Sequence, residues 1–168
     1  VVIEPSPGYT ARLAAELEAM GFDALACPDT QCLSADPYGQ LSLAAARTTR
    51  LKLGTGVTNP FTRDASVTAG ALATLQIESG GRARCGIGRG DSSAAHIGRR
   101  NAKTAELRLY VEQLRGYLRG EDVMRGETPS RMRWLAEHDM APVPIDIACT
   151  GPATIRMAAD VADRISFA

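Results

Sequence analysis

The sequence has no excess of charge of either sign and few aromatic residues. Its 19 Lys and Arg residues balance 19 Asp and Glu residues, so the 168-residue chain carries a formal net charge of zero. A neutral chain lacks the electrostatic footprint of a protein that binds nucleic acid or an anionic membrane. No apolar run approaches the roughly 20 residues that a membrane-spanning helix needs. Hydrophobic residues still make up 45% of the chain, which excludes a disordered polymer.

Metal-binding patterns are also scarce. The chain has four cysteines and two histidines, and the cysteine spacing fits no zinc motif. We interpret the cysteines as buried or incidental thiols in a reducing cytosol. The sequence therefore predicts a cytoplasmic protein without a metal site.

The two ends of the sequence lack the usual terminal features. The first residue is not methionine, and no charged signal-peptide segment is present. Residues 1–4 are typical of a strand entered partway, and residues 163–168 of a strand after which nothing follows. We expect residues 1–168 to form one partial domain that is a piece of a longer chain.

Short β-like segments alternate with segments of helical periodicity along the whole sequence. Strands are predicted at residues 1–3, 22–27, 51–57, 83–88, 143–149 and 164–168. Helices are predicted at 11–20, from 37 to the turn at 48–50, at 65–79 and 104–118, and from 152 onward, with a small hairpin within 127–134. Because parallel strands need helix-sized connections, the alternation predicts a parallel sheet in the order 1-2-3-4-5-6.

Helix starts are marked by capping residues. Thr10 and Asp64 are predicted N-caps, and Asp36 precedes Pro37 at a first helical position. Two architectures remain open: a doubly wound sheet, and a (β/α) barrel of which this chain supplies about six of eight units. Both bind their ligands at the carboxyl ends of the strands.

Small and polar residues cluster at those carboxyl ends. They follow the predicted strands at residues 28–31, 54–60, 86–93 and 150–152. Turn chemistry explains any one of these runs, but four runs on the same face of a sheet predict a ligand site there.

Two of the runs favour a phosphorylated or flat ligand. Gly86, Gly88 and Gly90 allow close approach of the backbone, although Asp91 breaks the dinucleotide fingerprint, and a tight turn is the alternative. The Thr-Gly-Pro run at residues 150–152 places free backbone N–H groups at a helix start, which suits an anion. An ordinary cap with proline at the first helical position would contain the same residues.

Three further residues have ambiguous roles. Gly56 lies inside a strand, where glycine marks a bulge or a close backbone approach. Asp29 ends an apolar strand and is either a polar site residue or a helix cap. His96 follows the fourth strand and is a candidate proton donor, although a single loop histidine is more often incidental.

The ordered set of these motifs resembles the luciferase-like monooxygenase superfamily. The motifs are 29–31 (Asp-Thr-Gln) with 36–38 (Asp-Pro-Tyr), 53–60 (Leu-Gly-Thr-Gly-Val-Thr-Asn-Pro), 72–76 (Leu-Ala-Thr-Leu-Gln), 79–82 (Ser-Gly-Gly-Arg), 86–92 (Gly-Ile-Gly-Arg-Gly-Asp-Ser) and 150–152. The sequence is most similar to the branch of deazaflavin (coenzyme F-420)-dependent oxidoreductases that includes methylenetetrahydromethanopterin reductase.

The resemblance implies an α/β fold, a (β/α)8 TIM barrel of the luciferase-like type, truncated here to about six β/α units. It implies a bulge at Gly56-Val57, often with a non-prolyl cis peptide, behind the cofactor ring. The cofactor phosphate would bind at residues 150–152. The implied cofactor-binding residues are Asp29, Thr55, Gly56, Val57, Gly88, Gly90, Asp91, Ser92, Thr150, Gly151 and Pro152.

The resemblance also implies a function, with alternatives. We expect hydride transfer between coenzyme F-420 and a small organic substrate, in a protein that forms homo-oligomers. An FMN-dependent monooxygenase and a non-catalytic barrel fragment with residual anion binding remain open. Many relatives carry histidine where Thr30 stands, so the catalytic acid or base is not assigned, with Asp29 and His96 as candidates.

Overall fold

The computed structural model describes residues 1–167, which form a five-stranded parallel sheet flanked by helices. The elements in chain order are α1 (Thr10–Ala19), β1 (Ala24–Cys27), α2 (Pro37–Ala45), β2 (Lys52–Thr55), α3 (Ala65–Glu78), β3 (Ala83–Ile87), α4 (Asp91–His96), α5 (Thr104–Leu118), β4 (Val123–Arg125), β5 (Thr128–Ser130), β6 (Ile145–Cys149), α6 (Pro152–Val161) and β7 (Arg164–Phe167). A 3-10 helix, Arg133–Glu137, follows the β4–β5 hairpin.

The strands of the main sheet follow one another in space as they do in sequence. Its order is β1-β2-β3-β6-β7, and all four neighbouring pairs are parallel. This confirms the predicted order and excludes the doubly wound alternative, whose strand order would reverse direction. The sheet is one arc of a barrel, with the carboxyl ends of all strands at one rim.

The predicted first strand is wrong as an extended element. Val2 forms a single parallel bridge with Ala26, supported by two backbone hydrogen bonds. The segment then reaches Pro5, whose ring nitrogen has no hydrogen to donate to a ladder. Only a bridge therefore extends the arc beyond β1. Of the predicted last strand, Ala168 lies outside the described residues.

Capping explains where most helices begin. Asp36 accepts a hydrogen bond from the Gly39 amide at 3.1 Å, and Asp64 accepts one from the Ser66 amide at 2.9 Å, so both predicted N-caps are confirmed. The predicted cap at Thr10 is wrong, because Thr10 is the first residue of α1 and Tyr9 is its N-cap. The Thr10 hydroxyl instead accepts from the Ser6 amide at 2.8 Å.

The core lies between the sheet and its helices. In β6, Ile145, Ile147 and Cys149 are buried against the helices, while Asp146 and Ala148 point to the opposite face and are half-buried. This alternation has the period of two expected of a strand. The helix-facing layer therefore holds the large apolar side chains, and the barrel-facing layer is built from smaller or polar ones.

Two elements differ from the sequence prediction. Helix α4 was not predicted, because six residues of small, polar and alanine side chains show no apolar periodicity. The hairpin is present, but it spans β4 and β5 rather than residues 127–134. In residues 1–167 no helix combines the length and the apolarity that crossing a bilayer demands.

Candidate functional site

A cleft of about 320 Å³ opens at the carboxyl ends of β1, β2, β3 and β6. This volume lies within the roughly 300–1,000 Å³ typical of small-molecule sites. The predicted residues Gly56, Val57, Gly88, Gly90, Asp91, Ser92 and Thr150 all border it. Four other lining residues, Pro28, Thr30, Arg89 and Ser93, lie in the predicted polar runs without an individual role, whereas Ala148 and Thr154 lie outside those runs.

The floor of the cleft is the segment that leaves β2. The Gly56-Val57 peptide bond is cis, which confirms the unusual backbone geometry expected there. Directly after it, the Thr58 amide donates to the Gly86 carbonyl at 2.8 Å, and the Gly88 amide donates to the Thr58 carbonyl at 2.9 Å. Backbone hydrogen bonds thus fasten the floor segment to the end of β3.

Glycines beneath Val57 make room for its side chain. A Cβ atom at Gly88 would lie 3.1 Å from Val57 Cγ2 and 3.7 Å from Ala148 Cβ. A Cβ atom at Gly86 would lie 3.3 Å from Val57 Cγ1 and 2.2 Å from the Thr55 carbonyl oxygen. Any side chain at Gly86 or Gly88 would therefore crowd Val57, and one at Gly86 would also collide with the Thr55 carbonyl oxygen. Only glycine fits these two positions without a shift of its neighbours.

The turn from β3 into α4 forms one wall. Gly90 has φ +79°, a left-handed conformation that favours glycine, and it is the N-cap of α4. Arg89 Nε donates to the Ala102 carbonyl at 2.5 Å, and the Ala102 amide donates back to the Arg89 carbonyl at 2.9 Å. The Asn101 amide group also binds the Asp91 carboxylate. The segment after α4 is thereby tied to this wall.

The opposite wall is the start of α6. Pro152 is its first helical residue and Gly151 its N-cap, and no side chain of the described residues caps it. The Thr150 side chain is exposed and Thr154 is 4% exposed, and both line the cleft. Gly151 and Pro152 are adjacent to the lining rather than part of it. Unpaired N–H groups and the positive end of the helix dipole therefore lie beside two threonines.

Asp29 lies behind the cleft floor, not in the cleft. Its carboxylate is 1% exposed and accepts hydrogen bonds from Gln31 Nε2 at 2.6 Å and from the Thr58 hydroxyl at 2.6 Å. The Thr58 hydroxyl accepts in turn from Tyr38 at 3.2 Å. Burial holds the pKa of Tyr38 well above its ordinary value, so Tyr38 stays a donor. Asp29 borders a neighbouring polar cleft of about 250 Å³, which also includes Thr30 and Arg63.

The remaining predicted site residues are placed away from the cleft. Thr55 is buried, and its hydroxyl donates to the Gly86 carbonyl at 2.7 Å, so it joins β2 to β3. His96 is exposed in the last turn of α4 and lies outside the cleft. The structure therefore brings seven predicted residues together in the cleft and leaves Asp29, Thr55 and His96 outside it.

A second cleft lies at the other end of the sheet. It has a volume of about 220 Å³ and includes Ile145, the first residue of β6, together with Arg115 and His138. Parallel barrels bind ligands at the carboxyl ends of their strands, so the rim cleft is the candidate site. Across residues 1–167, no group of three or more His, Cys, Asp or Glu side chains could hold a metal ion.

These features define an arc of a parallel (β/α) barrel with a ligand cleft at its carboxyl rim. A family model described as luciferase-like monooxygenase matches residues 2–168. The chain belongs to this family, as the sequence motifs indicated.

Similar proteins extend this result. A 5,10-methylenetetrahydromethanopterin reductase of Methanolobus tindarius is 34% identical over 152 residues, which are 88% of this chain and 46% of that protein. The structure of the coenzyme F-420-dependent tetrahydromethanopterin reductase of Methanopyrus kandleri superposes with a TM-score of 0.81 at 25% identity, covering 99% of this chain and 54% of that one.

A more distant structure shares the fold alone. The oxygenating constituent of 3,6-diketocamphane monooxygenase of Pseudomonas putida, in complex with FMN, has a TM-score of 0.71 at 16% identity over 94% of this chain and 53% of that one. The chain spans about half the length of the relatives that it matches.

Proposed function

We propose that this chain forms the cofactor-binding part of a coenzyme F-420-dependent oxidoreductase that transfers hydride to or from a small organic substrate. The observation that carries the proposal is the rim cleft, whose floor at Gly56-Val57 and walls at β3 and α6 are built from the family's motif residues. The coenzyme F-420-dependent reductase of Methanopyrus kandleri, whose structure superposes at 25% identity, supports coenzyme F-420 over FMN.

The floor suits a flat ring. Gly56, Gly88 and Ala148 contribute little or no side chain, so the surface around Val57 is open and smooth. A Cβ at Gly88 would crowd Val57 and enter this space. We propose that the deazaflavin ring stacks over Val57, with Gly88, Gly90, Asp91 and Ser92 along its side.

The α6 wall suits a phosphate. The N–H groups at the first turn of α6 and the positive end of its dipole attract an anion, and the hydroxyls of Thr150 and Thr154 add donors. A Cβ at Gly151 would meet nothing within 4 Å, so the space beside the turn is open. We propose that Thr150, Gly151 and Pro152 hold the cofactor phosphate.

The chain's own residues orient the ligand and exclude water, whereas the bound cofactor supplies the hydride chemistry. The floor offers an apolar surface, and Arg89 and Asp91 tie the segment after α4 to the wall at the end of β3. Among the cleft-lining residues none is a histidine, lysine, cysteine or tyrosine, and the one carboxylate, Asp91, is bonded to the Asn101 amide group. We therefore assign these residues to binding and not to proton transfer.

Assembly and location are also proposals. We propose that the protein is cytoplasmic, because Cys27, Cys85 and Cys149 are buried as free thiols. We propose that it forms homo-oligomers, as the resemblance to this family implies. Light scattering of the purified protein tests the second point, and a monodisperse monomer would contradict it.

The decisive experiment is a titration of the full-length protein with coenzyme F-420 and, separately, with FMN, followed by fluorescence. We expect saturable binding of coenzyme F-420 that is tighter than that of FMN. Oxygen consumption with bound reduced FMN would support the monooxygenase alternative instead. Binding of neither cofactor would refute the proposed function and favour a non-catalytic barrel.

A further inference from the structure

We propose that Asp29 and Thr58 are a positioning pair that fixes Val57 at the floor of the rim cleft without touching the ligand. The inference rests on the proposed function for the identity of the ligand, but its structural basis is independent of it. Neither residue lines the rim cleft, whereas Val57, next to Thr58 in sequence, does.

The first step is the hydrogen bonding of the carboxylate. Asp29 is 1% exposed and Thr58 is 0% exposed, and the 2.6 Å bond between them joins the end of β1 to the segment after β2. A buried carboxylate is costly unless it is hydrogen-bonded, and Gln31 Nε2 supplies the second donor at 2.6 Å. The position of Thr58 is therefore fixed by the Asp29 carboxylate, for which the loss of either hydrogen bond is costly.

The second step connects this bond to the floor. The Asp29 amide donates to the Val57 carbonyl at 3.3 Å, and Asn59 Nδ2 donates to the Asp29 carbonyl at 3.4 Å. On its other side, Thr58 is bonded through its backbone to Gly86 and Gly88. The segment that carries Val57 is thus held from β1 by Asp29 and from β3 by backbone bonds.

The third step is that Val57 has little room to move at the floor of the cleft. Val57 Cγ2 would stand only 3.1 Å from a Cβ at Gly88, so its side chain already lies close against β3. Loss of the side-chain bond to Asp29 would leave the segment held on the β1 side only by backbone bonds and by Asn59, so Thr58 would move more and its bond to the Gly88 amide would open more often. The floor would then shift relative to the α6 wall, and ligands that need both surfaces would bind less tightly.

The test replaces Thr58 in the full-length protein, because Asp29→Ala would remove the bonds to Gln31 and to Thr58 together, whereas a change at Thr58 leaves the bond between Asp29 and Gln31 in place. Thr58→Val has nearly the same shape and removes the hydroxyl, and Thr58→Ser restores it. Tyr38→Phe is the matched control, because Tyr38 donates to the same hydroxyl but does not bond to Asp29 directly. Dissociation constants for coenzyme F-420 are measured by fluorescence, and amide hydrogen exchange is measured on the cofactor-free protein.

We expect Thr58→Val to raise the dissociation constant about tenfold and to speed exchange of the Gly88 amide, which donates to Thr58. Thr58→Ser should restore both values, and Tyr38→Phe should change neither. Unchanged exchange at Gly88 in Thr58→Val would overturn the positioning role. Equal loss of binding in Tyr38→Phe would also overturn it, since it would indicate a general loss of stability.

The exchange measurement separates this inference from the proposed function. If the wild-type protein binds no coenzyme F-420 but Gly88 exchange rises only in Thr58→Val, the proposed function fails and the positioning role stands. If the wild-type protein binds coenzyme F-420 and Thr58→Val binds it equally well, the positioning role fails and the proposed function stands.

Discussion

The steric role of Gly88 gives a quantitative prediction. In Gly88→Ala the added methyl would lie 3.1 Å from Val57 Cγ2 and 3.7 Å from Ala148 Cβ, both of which line the rim cleft. The first distance is shorter than ordinary van der Waals contact, so Val57 must move by a few tenths of an ångström to make room for the methyl group. Overpacking of this kind typically costs about 1–3 kcal/mol.

That cost should appear mainly in ligand binding. Both Gly88 and Val57 line the surface assigned to the deazaflavin ring, so the added methyl group and the movement of Val57 change that surface, and the dissociation constant should rise about tenfold or more. The thermal midpoint should fall by only a few degrees, since about 1 kcal/mol corresponds to roughly 2–4 °C in a protein of this size. Fluorescence titration and calorimetry measure the two effects separately.

Gly70→Ala is the matched control. Gly70 lies in the middle of α3, and the substitution also adds one methyl group. The nearest atom to that methyl group is Met132 Cε at 4.0 Å. Alanine is a better helix former than glycine by about 1 kcal/mol, so stability should rise slightly and binding should not change. Wild-type affinity in Gly88→Ala would refute the placement of the ring over the floor.

Three further predictions concern other parts of the chain. Thr150→Ala should weaken coenzyme F-420 binding by about 1.5–3 kcal/mol, as expected for one hydrogen bond to a charged group, while Thr150→Ser should retain it in the same titration. Backbone N–H groups at 49–51 hold the pKa of Glu18 at about 2 instead of 4.5, so its contribution to stability is complete above pH 4.5 and is lost as the pH falls toward 2. Glu18→Gln should therefore lower the free energy of unfolding by about 1 kcal/mol at pH 7 and by less near pH 2, as measured by urea denaturation. Under native conditions, Ellman's reagent should modify Cys32 alone at a fast rate, because the other three thiols are buried; rapid reaction of all four would contradict the described packing.

The sequence was sufficient to predict features that depend on local signals. Alternation of strands and helices predicted the parallel order, because each crossover is short and right-handed. Asp36 and Asp64 were recognised as caps because a cap acts within three residues. The glycines at 86, 88 and 90 could be assigned to the rim because the carboxyl ends of all strands in a parallel sheet lie at the same edge.

Features that depend on distant residues were not predictable in the same way. The bond between Asp29 and Thr58 joins residues 29 positions apart, so the sequence could indicate a buried carboxylate but not its partner. Thr154 lines the cleft because it lies in the first turn of α6, which begins beside the rim. Helix α4 has no apolar stripe in its sequence, so its presence could be recognised only in the folded structure.

The most direct test of the account is a map of amide hydrogen exchange in the full-length protein with and without coenzyme F-420. The account predicts that the cofactor slows exchange in three separate segments, at residues 55–59, 86–93 and 150–154, which meet only at the rim cleft. Slowed exchange around Arg115 and His138, at the cleft on the opposite end of the sheet, would contradict it. Exchange that is the same with and without the cofactor would contradict it as well.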